Sequence, residues 1–339
     1  MPLYLYVLRR LIVMIPMLIG ITLVSFIIGH AVPADPIAAN LSQRAMSDPT
    51  VVAAFKAEWG LDQPVPVQYL VYVSNLVQGN LGRSIRSRRP VLDDLKAYLP
   101  ATFELATTAT VIGVAAGLVL GVLSAVFRNS WLDYIARFVS LIGISSPVFW
   151  LALIALLVFY VRLRWLPGLG RLDSTIPAPP TVTGLFTVDS LLVGDWRAFS
   201  NAFRHLILPS MVLASYSMGL ITRITRASML ESLTQDYVRT ARSKGLRELV
   251  VLRRHALRNA LIPVITVIGL SYGNLLSGAV LTETIFAWPG IGRYAFQASS
   301  TLDFPAIMGV SILIAFIFIV VNLMVDVLYH IVDPRLRTR

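Results

Sequence analysis

The side chains that carry most protein chemistry are sparse in this sequence, and their spacing builds no reaction centre. His30, His205, His255 and His330 are scattered, and none has a second histidine four residues on. That spacing is what sets two imidazoles on one helix face for a metal, so helix-end or interfacial packing is the expected role of all four. Asp93 and Asp94 are the one adjacent carboxylate pair. Neighbouring helix positions point apart, so the pair is read as part of a solvated loop and not as an acid/base couple. The sequence has no cysteine, which removes disulfides, thiolate nucleophiles and Cys-ligated metals together. No Gly-rich loop ends in Lys-Ser/Thr, so no phosphate cradle of the P-loop kind is expected. The chain reads as a non-enzyme. Glu104, Glu283 and Asp326 each lie within a few residues of the end of an apolar run, where a carboxylate is expected to reach headgroups or water. No chain of carboxylates or histidines crosses mid-membrane, as a proton-coupled carrier would want.

The informative stretch is Arg226–Pro263. Ser228 and Glu231 have capping-box spacing, which predicts a helix from about Met229, and Met229, Leu233, Tyr237 and Ala241 then recur as one apolar stripe. Arg239, Arg242 and Lys244 project elsewhere. Gly245 is a natural stop, being free to take the left-handed conformation at a helix C-terminus. A second helical run, Arg247–Asn259, leads through Leu261-Ile262-Pro263 into the next apolar segment. Two short helices broken at a glycine form a projecting elbow that a partner protein can grip. The alternative is a basic surface helix held by anionic headgroups.

The elements that must hold this elbow belong in a bilayer. Apolar residues are 56% of the 339 and charged residues only 14%, with a mean hydropathy of +0.72. A soluble domain carries about 25% charged residues, and too few remain here to cover the apolar ones. Six segments approach the roughly 20 apolar residues that a span needs: Leu11–Val32, Ala101–Phe127, Phe138–Val161, Leu206–Ile221, Leu261–Leu281 and Ala306–Ile331. The fourth is short and the weakest. Leu11–Val32 reads as a retained first helix, because its 22 residues exceed the about 7–15 of a signal-peptide core. The expected class is all-α, a polytopic membrane protein with about six transmembrane helices. Its parts are residues 1–10 as a cytoplasmic N-terminus, 11–32 as the first span, 33–100 as an extracytoplasmic region and 101–339 as the core, with the cytoplasmic elbow region at 223–260.

Charge sets the orientation. With a cytoplasmic N-terminus, 16 of the 29 basic residues fall on short inside segments, including Arg9, Arg10, Arg128, Arg137 and nine between Arg223 and Arg258, as the positive-inside rule requires. Both termini are then cytoplasmic. The +11 net charge tracks membrane edges and forms no continuous face for nucleic acid. Within 33–100, Asp48 opens a helical run to Trp59 that Gly60 stops, and Val67, Leu70, Val71 and Val77 repeat near helical spacing. Arg162–His205 is read as irregular, since Pro177, Pro179 and Pro180 forbid a continuous helix.

The segment Asp236-Tyr237-Val238-Arg239-Thr240-Ala241-Arg242-Ser243-Lys244-Gly245 resembles the cytoplasmic signature of ABC importer permeases of the dipeptide/oligopeptide (peptide/nickel) family. The likeness continues through Arg254–Leu261 to Pro263, and through Glu283–Gly292, Val325–Tyr329 and Asp333-Pro334-Arg335. Nearer the N-terminus, Gly60–Pro64, Gly79–Ser84 and Ser146–Trp150 fit as well. The general importer signature opens Glu-Ala-Ala and ends in a glycine. Here Arg239 and Thr240 replace its first two residues and 17 residues separate Gly245 from Pro263, a variation similar to the peptide subgroup. The resemblance implies an ABC importer type I-like permease fold. It implies a second homologous permease subunit, two ATPase subunits that bind ATP and Mg, an extracytoplasmic substrate-binding protein, and no cofactor in this chain. Asp236, Tyr237, Arg239, Thr240, Ala241, Arg242, Lys244 and Gly245 would form the coupling helix that contacts an ATPase. It implies a bacterial cytoplasmic (inner) membrane and a cargo of dipeptides or short oligopeptides. Nickel chelates or glutathione are the alternative cargo, and a self-sufficient channel or ion-coupled carrier is the alternative of another class.

Overall fold

The computed structural model describes residues 3–31, 37, 41, 43–276 and 279–332. Among these the regular elements are helical, and the one β-type pairing is an isolated bridge between Arg83 and Pro90. Five helices are long and apolar enough to cross a membrane, or six if one sharply bent pair counts as a single span. Val325–Tyr329 lies on the last helix, whereas Asp333-Pro334-Arg335 lies outside the described residues.

α1 (Leu3–Ala31) is the first span. α2 (Gln43–Met46), α3 (Pro49–Trp59) and α4 (Val65–Val77) follow. α3 starts where the Asp48 side chain accepts from the Thr50 amide and stops at Gly60 (φ 61°), as the sequence suggests. α4 grips α1 through Tyr69, whose hydroxyl lies 2.9 Å from that of Thr22, and through Phe26, whose ring meets Tyr69 edge-on at 5.4 Å.

α5 (Val91–Val126, 36 residues) begins ten residues before the expected span. Pro100 lies inside it rather than ending the preceding loop, because in a membrane bundle neighbouring groups satisfy the carbonyl that a proline leaves free. The expected third span is not one straight helix. α6 (Trp131–Ser145) and α7 (Val148–Ala155, continuing as a π-helix over Leu156–Arg162) meet at a bend of 108°. The cause is Pro147, which holds Ser146 in an extended conformation at ψ 133° and supplies no amide to continue the ladder.

The fourth segment, the weakest in sequence, is the centre of the molecule. α8 (Phe186–Leu192) precedes α9 (Trp196–Leu233), a single 38-residue helix, so the region Arg162–His205 is irregular only up to Leu185 and around Val193–Asp195. In α9's most apolar stretch 67% of the residues are buried, against 11–33% for the other long helices. Its polar positions Ser210, Ser217, Thr222 and Thr225 are buried, and Ser217, Thr222 and Thr225 lie against Gly113 and Gly121 of α5. Gly113, Gly117 and Gly121 of α5 line up on α9, and a Cβ at Gly117 would lie 2.8 Å from Ile221 Cβ. Glycines at four-residue spacing let two helix backbones approach this closely. A 38-residue helix is roughly 57 Å long at 1.5 Å per residue, well beyond the hydrocarbon thickness of about 30 Å. α9 is therefore too long to lie wholly within the hydrocarbon core.

After the elbow come α10 (Asp236–Ser243), α11 (Glu248–Val250) with a π-helical turn Val251–Leu257, and α12 (Arg258–Leu276). α13 (Val280–Ile285), α14 (Ile291–Ser300) and α15 (Phe304–Val332) complete the chain. α15 runs beside α12 and α1, and Asp326 pairs with Arg10 at 2.7 Å.

Candidate partner-docking elbow

α9 ends at Leu233, so Ser228 and Glu231 sit inside it and open no new helix. The local capping signal is overridden because Met229 is fully buried in a cluster with Ala125, Ala256 and Ala260, and that burial continues α9 for another turn. The break falls at Thr234–Gln235, and α10 starts at Asp236 with no side-chain cap. The expected stripe therefore divides. Met229 and Leu233 belong to α9, and Tyr237 is 40% exposed.

α10 is rooted by Val238 and Ala241, both buried against Val251, with Leu233 closing the cluster. These two residues are one turn apart and make a narrow inward seam. The remaining positions Asp236, Tyr237, Arg239, Thr240, Arg242, Lys244 and Gly245 are exposed. Ala241 thus props the helix from below, and the others make its outer surface. Gly245 takes φ +73° with no atom within 4 Å of where a Cβ would stand, so its requirement is for backbone conformation and not for space. Its amide donates to the Arg242 carbonyl at 2.9 Å and closes the helix.

The basic residues do not all face outward unpaired. Arg242 reaches across the Gly245 turn to Glu248, Nη2 to Oε1 at 2.6 Å and Nε to Oε2 at 3.2 Å. The guanidinium holds the Glu248 carboxyl below its ordinary value, and the carboxylate raises Arg242 in turn. Both partners are exposed, so the pair fixes the shape of the turn and adds little stability. Arg239 lies 3.6 Å from Asp236 on the open face. Beside them Leu246, Leu249 and Val250 are exposed, an apolar patch that the sequence reading passed over because it lies beyond the glycine.

The elbow is fixed to three long helices at once. The Met229 cluster joins α5, α9 and the π-turn that opens α12, with Val122, Leu230, Leu252 and Leu257 around it. Near it, Asp133 of α6 is fully buried and accepts both Nε and Nη2 of Arg226 at 2.9 Å, with the Ser124 hydroxyl at 2.6 Å and the Asn129 amide at 3.0 Å. α10 meets this assembly through Leu233 of α9 and Val251 of the π-turn.

Residues 117–338 match the family model described as binding-protein-dependent transport system inner membrane component, and residues 3–106 match the N-terminal model of such components. The chain belongs to this family. Among its relatives, a probable D,D-dipeptide transport system permease of Escherichia coli is 48% identical over 94% of this chain and 93% of its own. The dipeptide transport system permease DppB of Alkalihalophilus pseudofirmus is 44% identical over 98% and 99%. The E. coli permease DppB is 42% identical over 98% of each. One chain of the MetNI methionine ABC transporter, solved in inward-facing conformations, superposes with a TM-score of 0.53 at 16% identity, covering 70% of this chain and 96% of that one. The fold is thus that of an ABC importer permease, and this chain is a multi-pass transport subunit.

At the end of this permease opposite the elbow, the carboxylates expected to meet water are buried. Glu104 pairs with buried Arg171 at 2.6 Å and accepts the amide and hydroxyl of Thr187 at 2.8 and 2.6 Å. Arg171 in turn lies over the Phe186 ring at 3.6 Å. Glu283 is fully buried, taking the Thr102 hydroxyl at 2.7 Å and the Arg293 amide at 2.9 Å. Asp94 is no solvated loop residue either. It sits in the first turn of α5 and takes the hydroxyls of Ser87 at 2.5 Å and Tyr294 at 3.2 Å, while Asp93 is exposed. The physical reason is common to all three. The connecting segments fold back over the span ends, and their amides and hydroxyls replace water. His205 is likewise buried, its Nδ1 2.9 Å from the Asn201 carbonyl.

Proposed function

We propose that this chain is the membrane permease subunit of an ATP-driven importer of dipeptides or short oligopeptides, in the bacterial cytoplasmic (inner) membrane with both termini cytoplasmic. The observation that carries the reading is an exposed elbow rooted in the long helices of a chain whose near-full-length relatives are dipeptide permeases. The elbow Asp236–Gly245 docks in a groove of one of two ATPase subunits, which bind ATP and Mg. Tyr237, Arg239, Thr240 and Lys244 supply the contact face, Asp236 orients Arg239, and Arg242 with Glu248 holds the turn. When the ATPase pair closes, α10 carries α9 and α12 with it, and a cavity shared with a second homologous permease changes the side to which it opens. Cargo arrives on an extracytoplasmic binding protein. Lipid surrounds the bundle, and no nucleic acid is involved.

The absence of native cysteine makes the test direct. Thr240→Cys and Lys244→Cys in the assembled transporter should cross-link to a co-purifying ATPase, with a yield that changes on adding ATP. Arg197→Cys at the opposite end should not. Purification of an active transporter without any ATPase would defeat the reading.

A further inference from the structure

The connection from α4 to α5 carries a feature that the coupling mechanism does not use. Arg83, Arg86, Arg88 and Arg89 fall within seven residues that contain no acid and no lysine. All four are exposed. They stand on a tight hairpin closed by the Arg83–Pro90 bridge, with the Ser84 amide donating to the Arg89 carbonyl at 3.0 Å and the Val91 amide to Gly82 at 3.0 Å. Arg88 adopts φ 59° at its tip, a left-handed conformation that costs a residue with a Cβ about 1 kcal/mol.

The hairpin is locked to the bundle from beneath. Asp303 accepts the Ser84 hydroxyl at 2.5 Å and the Arg86 amide at 3.2 Å, and its other oxygen accepts the Ala306 amide at 3.3 Å in the first turn of α15. Asp94 does the same for α5, holding Ser87 at 2.5 Å. Arg86 donates to Gln297 of α14, and Arg89 lies 3.8 Å from Asp94. Arg83 and Arg88 have no side-chain partner among the described residues. Two unneutralised arginines thus stand on a backbone fixed to three elements that start or brace membrane helices.

Resting on the importer reading above, we propose that this hairpin is a rigid basic docking surface for an acidic patch on the extracytoplasmic binding protein. Arginine in place of lysine suits planar, two-pronged recognition of carboxylates. A lipid anchor fits less well, because basic headgroup anchors concentrate on the cytoplasmic side and need no left-handed, doubly clamped backbone. The same clamps pass a load from the docked protein to α5, α14 and α15.

The test uses the complete transporter in nanodiscs of zwitterionic phosphatidylcholine, with its binding protein as the probe. Association rates are measured at salt concentrations of about 50 and about 300 mM, which bracket strong and weak screening. The variant Arg83→Glu/Arg88→Glu should associate at least about tenfold more slowly at low salt and lose most of the salt dependence. Arg83→Lys/Arg88→Lys should fall between it and wild type. Arg164→Glu/Arg197→Glu, an equal charge change elsewhere on that face, should associate like wild type. Equal rates for the Glu hairpin variant and wild type would overturn the inference, as would an equal drop in the Arg164/Arg197 control. A defect confined to nanodiscs containing phosphatidylglycerol would assign the hairpin to lipid instead. If wild type itself takes up no binding protein, the importer reading fails along with the docking surface.

Discussion

Two buried or strained residues fix the local geometry at either end of this permease, and each makes a prediction of its own. Glu283 is walled in by Gly290 and Gly292, where any Cβ would press on its carboxylate, so the turn exists because carboxylate and glycines were fitted to each other. Glu283→Ala leaves the Thr102 hydroxyl proton, whose oxygen still accepts the Ile291 amide, and the Arg293 amide without an acceptor, a loss of roughly 3 kcal/mol. It should lower the thermal midpoint of the purified transporter, and Gly290→Ala should do so by overcrowding the same oxygen atoms. At the elbow the logic is conformational. Gly245 has φ +73° and open space around it, so Gly245→Val strains the backbone by about 1–2 kcal/mol without any clash. The variant should insert and yet uncouple ATP hydrolysis from uptake. Gly245→Asn, which tolerates the left-handed region, should keep most of the coupling, and loss of uptake in both would show that the backbone argument is wrong.

Between elements, the account rests on close helix contact and on a loop pinned by one carboxylate. Replacing Gly117 of α5 by Leu would drive a side chain into Ile221 and force α5 from α9. Assembly yield should fall, whereas Gly20→Leu on α1, where nothing lies within 4 Å, should assemble normally. The segment before α8 is held by Asp189, which accepts the Thr183 amide at 2.8 Å and hydroxyl at 2.7 Å and the Gly184 amide at 2.9 Å. Burial alone would raise this carboxyl, but the Thr183 bonds together with the Gly184 and Val182 amides outweigh it and hold it below its ordinary value. A depressed folded-state pKa stabilises above the unfolded value of about 4 and is lost as pH falls through the folded one. Amide-exchange protection at Val182–Gly184 should therefore be flat from neutral pH down to about 5 and decline only below about 4. In Asp189→Asn it should be weaker and indifferent to pH.

Across the whole molecule, what the sequence made legible was whatever depends on local chemistry. Asp48 and Gly60 bound their helix, Gly245 turns the elbow, and apolar runs mark most of the spans. What it hid depends on who sits opposite. Leu206–Ile221 looked weak because it is short and its serines lower its hydropathy, yet close packing on the glycines of α5 leaves α9 the most buried of the long helices. Ser228 and Glu231 advertised a helix start that the burial of Met229 cancels. Glu104, Glu283 and Asp94 seemed wet because connecting segments that fold back cannot be seen in one dimension. The turn of the elbow was legible in its glycine, while the exposure of Leu246, Leu249 and Val250 was not, because apolar residues beyond a turn look like the start of the next span. The central claim is that this elbow-bearing chain carries peptides inward. The most direct measurement is uptake of a radiolabelled dipeptide in cells with and without the chain, with nickel and glutathione as competitors. Uptake should vanish on deletion, return with the wild-type chain but not with Gly245→Val, and resist both competitors. Unchanged dipeptide uptake after deletion, with nickel or glutathione uptake lost instead, would contradict the assignment of cargo.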